Sequence, residues 1–256
     1  MNDGKKLKRG LEDLSPLFQE AVNPLVLKQP AAAEPLHQRA GDILAICRGD
    51  GSNFSGGLRL AGELFPAEKE AVLVSITGEE GSVPAVGTGL YHYGLTLPKL
   101  ERLIRTQGVK APPEEFSKNV ILHFDLQGGL PAENLLPLLD KCLFWVQPDF
   151  DSLSEIYKNM KLMVAVNHGV ECYLVYDGRP GDSRGEFIFE NLAEMSAKHL
   201  GVNLIWLGTA AGSPEGGILC DLKLEPLWLR PMEKNLSPEK LQLLRFAALP
   251  PVEDGV

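Results

Sequence analysis

The sequence contains neither a long apolar run nor an apolar leader. No stretch approaches the roughly 18 to 20 uninterrupted apolar residues of a membrane-spanning helix, and the polar start MNDGKKLKRG lacks the core of a secretory signal. The last residues, LQLLRFAALPPVEDGV, carry one arginine and finish acidic. They therefore do not form the basic amphipathic helix that anchors a protein to a membrane surface. We expect a cytoplasmic protein without a stable membrane anchor.

Cysteine and positive charge are both scarce. None of the four cysteines belongs to a C-x-x-C pair, and each lies in or beside an apolar run. This favours reduced core thiols over disulfides or a metal site. With 25 basic and 34 acidic residues the formal net charge is -9, and such a surface repels polyanions. Nucleic acid is therefore not an expected partner.

The chain has three parts that differ in composition. Residues 1–40 hold Pro24, Pro30 and Pro35 and are predicted to be a flexible tail, because proline at this density opposes a long helix and leaves few donors for a sheet. Within it, Leu11 to Phe18 is a short apolar segment that either straps its own domain or binds a protein partner. Residues 41–249 form the predicted domain, and residues 250–256 are an acidic tail.

Short apolar runs alternate with amphipathic stretches through the predicted domain. The runs are long enough to be strands buried on both faces, which is typical of a parallel sheet covered by helices. Predicted strands cover residues 43–47, 71–76, 119–125, 142–147, 172–176 and 203–208. Predicted helices cover residues 56–65, 97–107, 130–140, 152–164, 186–201 and a last helix from 238. This alternation predicts an α/β fold with a doubly wound, mostly parallel sheet and helices on both faces.

Four helix ends carry recognisable signals. Ser152 with Glu155, and Ser183 with Glu186, fit capping boxes at helix starts. Gly201 follows the predicted end of one helix, and Ser237 precedes a proline at the first position of the last helix.

The loop after the first predicted domain strand is the most informative one. RGDGSNFSGG joins a buried strand to a helix, which is the setting of a phosphate-binding loop. Such a loop also needs a lysine for the phosphates and a hydroxyl for magnesium, yet no lysine lies between Gly41 and Glu68. Asp50 adds negative charge where a triphosphate would lie. The candidate phosphate-loop residues are Gly49, Asp50, Gly51, Ser52, Ser55 and Gly56.

Two further strand ends carry acidic residues. Asp125 closes a predicted strand and is followed at the third position by Gly128, as in the strand with which NTPases hold the water shell of the metal. Asp177 follows the predicted strand at 172–176. Arg48, next to the glycine-rich loop, is a candidate for an ion pair with Asp50 or Asp125.

In this order the segments resemble the MinD/ParA-type P-loop ATPases, including their FlhG-like members, over residues 41 to 248. ILAICRGDGSNFSGGLRLAGEL is similar to the family's first strand, deviant loop KGGVGKT and helix, and VILHFDLQGGL to its metal-side strand. CLFWVQPDFDSLSEIYKNMKLM and CYLVYDGRPGDSRGEF resemble the later strands and the turn that reads the base.

The departures from the family decide the expected activity. Asp50 stands where the resemblance places the first lysine, and Ser55 or a neighbour stands at the second. Gly56 or Gly57 replaces the magnesium threonine, and Asp177 replaces the asparagine that reads adenine. Of the polar family positions, Asp125 and Gly128 are kept. The resemblance therefore implies a member without catalytic residues, metal or bound cofactor.

The favoured hypothesis is a non-hydrolysing pseudo-ATPase that works as a protein-interaction scaffold or regulator, for example in positioning an envelope or motility apparatus. The sequence leaves undecided whether the chain forms a homodimer. The first alternative is a weak nucleotide switch or ATPase that holds ATP with Mg²⁺ through backbone groups of the glycine-rich loop. The second is another doubly wound chemistry such as methyl transfer, with Gly49 and Gly51 under the cofactor and Glu79 or Glu80 on a ribose.

Overall fold

The computed structural model describes ten strands, four α-helices and one 3₁₀ turn. The described residues are 36–48, 60, 62, 64, 71–77, 91–105, 119–125, 134–212, 218–224, 227 and 232–248. The strands are Leu36–Ala40 (β1), Ile43–Arg48 (β2), Ala71–Thr77 (β3), Tyr91–Thr96 (β4), Asn119–Asp125 (β5), Lys141–Val146 (β6), Glu171–Tyr176 (β7), Leu204–Gly212 (β8), Ile218–Leu222 (β9) and Met232–Leu236 (β10). The helices are Leu97–Arg105 (α1), Phe150–Val166 (α2), Ser183–Leu200 (α3) and Pro238–Ala248 (α4), and Leu136–Leu138 is the 3₁₀ turn.

Eight of the described strands form one sheet in the order β4-β3-β5-β2-β6-β7-β8-β9. Every neighbouring pair is parallel except β8 with β9, which is antiparallel. β1 and β10 form a separate antiparallel pair. The predicted mostly parallel α/β sheet is confirmed, and each of the six predicted strands is present within one or two residues at its start.

Helices cover both faces of this sheet. Alternate residues of β2 enter two different clusters of buried side chains, which is the pattern of a strand buried on both sides. Ile43, Ala45 and Cys47 belong to the cluster that also holds buried residues of all four α-helices. Leu44 and Ile46 belong to the cluster that holds the helical residues 60 and 64.

All of β1 lies inside the predicted flexible tail. Leu36–Ala40 pairs with β10, so Leu36 is the Cα partner of Leu236 and Ala40 that of Met232. This corrects the tail prediction for these five residues. They follow Pro35, the last proline of the region, and therefore keep their backbone donors. Residues 1–35, with the segment from Leu11 to Phe18, lie outside the described residues, and the domain limits at 40 and 249 stay predictions.

The helix predicted over 130–140 is wrong in the part that the structure describes. Leu136–Leu138 forms one 3₁₀ turn, and Leu139 is already extended with φ -74° and ψ 135°. Pro137 is the physical reason, since proline is tolerated at the start of a helix but not in its interior. Asn167 holds the segment in place by donating to the carbonyls of Leu136 and Leu139 at 2.9 and 2.8 Å.

Both predicted capping boxes are wrong, although both helices exist. Asp149 caps α2 by accepting from the Ser152 amide at 2.8 Å, and Ser152 lies inside the first turn. Asp182 caps α3 by accepting from the Arg184 amide at 3.1 Å. In each case an aspartate upstream of the serine competes for the cap position and is an equally good N-cap residue.

The other two helix-end predictions are confirmed. Gly201 ends α3 in the left-handed conformation, with φ 68° and ψ 21°. Pro238 is the first residue of α4, and the hydroxyl of Ser237 accepts from the Lys240 amide at 3.2 Å.

Three of the cysteines meet in the core beneath α2 and α3. Cys47, Cys142 and Cys172 are fully buried on the neighbouring strands β2, β6 and β7, and the Sγ atoms of Cys47 and Cys142 are 3.5 Å apart. All four cysteines are free thiols, and Cys220 is half-buried. Burial raises the pKa of Cys142 well above its ordinary value, and that of Cys172 to about 12.

These buried thiols predict a loss of stability at alkaline pH. An unfolded thiol ionises near pH 9.0, whereas folded Cys172 stays protonated until about pH 12. Between these values the unfolded state binds fewer protons, so stability falls as pH rises. From about pH 8.5 to about pH 10.5, Cys172 alone should remove about 2 kcal/mol. Urea unfolding at both pH values should show a smaller loss in Cys172→Ala, and equal losses in the two proteins would contradict the assignment.

Candidate functional site

The direction of the chain connections reverses between β2 and β6. From β2 the chain passes toward β3 and the β4 edge of the sheet, whereas from β6 it passes toward β7 and the β9 edge. The first connection contributes helical residues 60 and 64 to one face, and the second contributes α2 to the other. A reversal of this kind opens a crevice outside the carboxyl ends of the two strands, where open α/β sheets bind ligands.

Two neighbouring strands end at this crevice with residues that the sequence analysis singled out. Arg48 ends β2 and is the Cα partner of Asp125, which ends β5. On its other side Arg48 is the Cα partner of Trp145 in β6. The backbone therefore brings Arg48 and Asp125 to neighbouring positions beside the switch point. The ion pair between their side chains stays a prediction.

Gln147 and Asp177 connect the ends of β6 and β7. The Gln147 amide Nε2 donates to Asp177 Oδ2 at 3.4 Å, and the Asp177 backbone N–H donates to the carbonyl of Val146 at 2.7 Å. The Gln147 backbone N–H donates to the Ser152 hydroxyl at 3.1 Å. An ionised Asp177 side chain only accepts hydrogen bonds. It therefore lacks the N–H donors of an asparagine side chain.

Tyr176 fixes the turn that follows β7. Its ring is fully buried, and a Cβ on Gly178 or Gly185 would lie 2.1 or 2.8 Å from ring carbons. The turn and the first residues of α3 therefore pack directly on the ring, which only glycine permits at both positions. Burial raises the pKa of the Tyr176 phenol. The packed turn connects the end of β7 to the start of α3 and contains both Asp177 and Asp182.

The N-terminus of α3 is occupied by a carboxylate of the chain itself. Asp182 accepts from Arg184 Nε at 3.0 and 3.1 Å and from the terminal guanidinium nitrogen at 2.7 Å. These hydrogen bonds from Arg184 lower the pKa of Asp182 below its usual value. An anionic group such as a phosphate would have to displace this carboxylate to reach the helix end. The α3 terminus is therefore a poor anion site.

The remaining predicted site residues lie outside the described residues. These are Gly49, Asp50, Gly51, Ser52, Ser55, Gly56 and Gly128, together with Glu79 and Glu80 of the methyl-transfer alternative. The structure thus places Arg48, Asp125 and Asp177 around one crevice and leaves the composition of the glycine-rich loop as a sequence argument. Gln147 is a further polar residue of this region that the sequence analysis did not predict. No local sequence signal pairs it with Asp177.

Two further properties concern the described part of the chain. No group of three or more histidine, cysteine, aspartate or glutamate side chains there is arranged to hold a metal ion. None of its helices combines the length and the apolar composition that crossing a membrane requires.

No protein-family model matches the chain, and no curated protein matches it. Among solved structures, the MinD cell division protein of Aquifex aeolicus is similar with 14% identity and a TM-score of 0.43, over 81% of this chain and 95% of that one. The MinC:MinD complex of the same organism is similar with 12% identity and a TM-score of 0.43, over 68% and 83%.

A ParA family ATPase from Chlorobium tepidum TLS is also similar, with 14% identity and a TM-score of 0.39 over 70% of this chain and 86% of that one. Similarity at this level carries no argument about the chemistry of the site.

Proposed function

We propose that the chain is a non-hydrolysing MinD/ParA-like pseudo-ATPase that acts as a protein-interaction scaffold or regulator. The observation that carries this proposal is the combination of a switch-point crevice with a glycine-rich loop after β2 that has no lysine between Gly41 and Glu68. Open α/β sheets bind ligands in such a crevice, and a nucleotide of the family type would lie there. The loop lacks the lysine that would bind the phosphates of that nucleotide.

The ends of β6 and β7 support the same proposal. Asp177 accepts from Gln147 where the resemblance expects an asparagine, so an adenine would meet a carboxylate. By its position in the sequence of the glycine-rich loop, Asp50 would add a second carboxylate near the phosphates. Two like charges about 4 Å apart repel by several kcal/mol at an effective dielectric of about 20. The phosphates would therefore meet negative charge, and the base would lose the donor that an asparagine side chain offers.

Calorimetry and phosphate release test the proposal directly. With ATP, ADP and GTP, each with and without Mg²⁺, we expect no heat of binding and no phosphate release above that of Asp125→Ala. The Asp125→Ala protein is the control because it removes the last acidic family position without changing the loop. Magnesium-dependent turnover that Asp125→Ala abolishes would overturn the proposal.

One result would favour the alternative switch instead. If ATP and ADP bind with different affinities but without turnover, backbone groups of the glycine-rich loop still hold phosphates and the chain is a nucleotide switch.

The interaction role is tested with a truncated chain. Because β1 pairs with β10, the deletion should stop at Pro35 and leave Leu36–Ala40 in place. Loss of a bound protein on deletion of residues 1–35, with unchanged thermal stability, would assign partner binding to the segment from Leu11 to Phe18. A loss of stability would instead assign that segment to its own domain.

A further inference from the structure

A second cleft lies away from the switch point, between the start of α3 and the β8–β9 hairpin. Its volume is about 210 Å³, below the roughly 300 to 1,000 Å³ of pockets for drug-sized ligands. The side chains that define its chemistry are those of Asp182, Glu186, Trp206, Thr209, Asp221 and Lys223. Neither Gln147 nor Asp177 is among its lining residues. It is therefore distinct from the crevice described above and sized for a small molecule.

Thr209, one of the residues that line this cleft, carries a buried hydroxyl without a hydrogen bond. Thr209 is 7% exposed, and its Oγ1 has no hydrogen-bond partner among the described residues. Buried polar side-chain atoms nearly always have a partner, so such an atom calls for an explanation. A bound group that donates or accepts a hydrogen bond at Thr209 supplies one.

The charged side chains that line the cleft determine whether a cationic or an anionic ligand is favoured. Asp182, Glu186 and Asp221 bring three carboxylates against the one ammonium of Lys223. Asp182 is already engaged by the Arg184 guanidinium. Glu186 and Asp221 therefore still outnumber Lys223, and the cleft favours a cation over an anion.

The aromatic side chain of Trp206 further restricts the chemical class of the ligand. Trp206 lines the cleft and packs against Phe189 with ring centroids 5.4 Å apart, so its orientation is fixed by a neighbour. An indole ring attracts a nearby ammonium group. The described residues hold no group of three ligands arranged for a metal ion, whereas a wall formed by an indole ring suits an organic ammonium ion.

We propose that this cleft binds a small primary alkylamine. Its ammonium group pairs with the carboxylates of Glu186 and Asp221 and donates to the Thr209 hydroxyl, while its alkyl chain lies against Trp206. The same chemistry is offered by a free amine and by the lysine side chain of a partner protein. The proposal is independent of whether the switch-point crevice binds a nucleotide.

Titration of the full chain with butylamine tests this inference. Followed by amide NMR, butylamine should give saturable shifts at residues 182–186 and 206–209, whereas butanol, its neutral analogue, should not. Nα-acetyl-lysine methylamide, which keeps its side-chain ammonium group, is the second probe. Saturable binding of butylamine alone assigns a free amine, and binding of the lysine derivative as well assigns a lysine side chain.

Variants give the decisive comparison. Glu186→Gln with Asp221→Asn should weaken butylamine binding by about tenfold or more, and Thr209→Val should weaken it as well, because charged hydrogen bonds are lost at constant shape. Glu194→Gln, an exposed carboxylate of α3 outside the cleft, is the matched control and should bind like the parent. Absence of saturable shifts, equal shifts with butanol, or unchanged affinity in the cleft variants would each overturn the proposal.

Discussion

Gly208→Ala is expected to destabilise the protein by about 3 to 5 kcal/mol, because it combines backbone strain with a collision between backbone atoms. Gly208 has φ +130°, which side chains of L-residues rarely adopt. A Cβ at this position would also lie 1.9 Å from the carbonyl oxygen of Asp221 and 3.2 Å from the Cα of Leu222. Neither atom can move without separating β9 from β8.

Gly181→Ala is the matched control for this prediction. Gly181 also has a positive φ, of 83°, but a Cβ there would have no neighbour within 4 Å. It should therefore cost only the conformational strain, about 1 to 2 kcal/mol. Urea unfolding of the parent and the two variants measures both effects. Equal losses of stability would show that the close contact between Gly208 and Asp221 does not exist.

The collision at Gly208 also bears on the second cleft. Gly208 is the Cα partner of Leu222, and Thr209 that of Asp221, so the hairpin sets the distance between the Thr209 hydroxyl and the Asp221 carboxylate. If Gly208→Ala still folds, the amine-binding cleft should be lost with the register of the hairpin. Loss of butylamine binding in a variant that still unfolds cooperatively would indicate a local distortion of the hairpin and not global unfolding.

The central strands could be predicted from the sequence because they are buried on both faces. Residues such as those of Ile43–Arg48 and Lys141–Val146 form nearly continuous apolar runs, which mark a parallel strand without any knowledge of its neighbours. The ends of these strands follow from the same runs. The positions of Asp125 and Asp177 at the carboxyl edge of the sheet were therefore predictable as well.

The strands that were missed are those without this double burial. β4 and β9 lie at the two ends of the sheet, where one neighbour is missing and polar residues are tolerated. β4 accordingly reads YHYGLT and β9 reads ILCDL. β1 and β10 pair although Leu36 and Leu236 are 200 positions apart in the sequence, and no local pattern reveals such a distant partner.

The contacts within the switch-point crevice and within the second cleft could not be predicted from the sequence, for a related reason. The contact between Gln147 and Asp177 joins two loops 30 positions apart. The packing of Gly178 and Gly185 on Tyr176 depends on where α3 begins, and the competing serine and aspartate caps left that start open. The cleft at Thr209 exists only because β9 folds back on β8. Each feature is fixed by tertiary placement and not by spacing along the chain.

Lys141→Met is expected to cost about 3 to 5 kcal/mol, since it removes one partner of a buried ion pair. Lys141 is 3% exposed, and its Nζ lies 2.7 Å from Asp42 Oδ2. The same ammonium group donates to the carbonyl of Leu227. Methionine fills a similar volume, so the loss arises from the Asp42 carboxylate, which is 14% exposed and no longer has this cation. The Leu227 carbonyl loses its donor as well.

Lys158→Met is the control that shows how much stability is lost when an exposed lysine is replaced by methionine. Lys158 pairs with Glu155 at 3.7 Å, but both side chains are exposed, at 54% and 36%, and such pairs contribute about 0 to 1 kcal/mol. Chemical denaturation should therefore rank Lys141→Met far below Lys158→Met in stability. Adding Asp42→Asn to Lys141→Met should restore part of the loss, because the carboxylate that lost the Lys141 cation is then replaced by a neutral amide. Additive losses in the double variant would show that the two groups do not act as a pair.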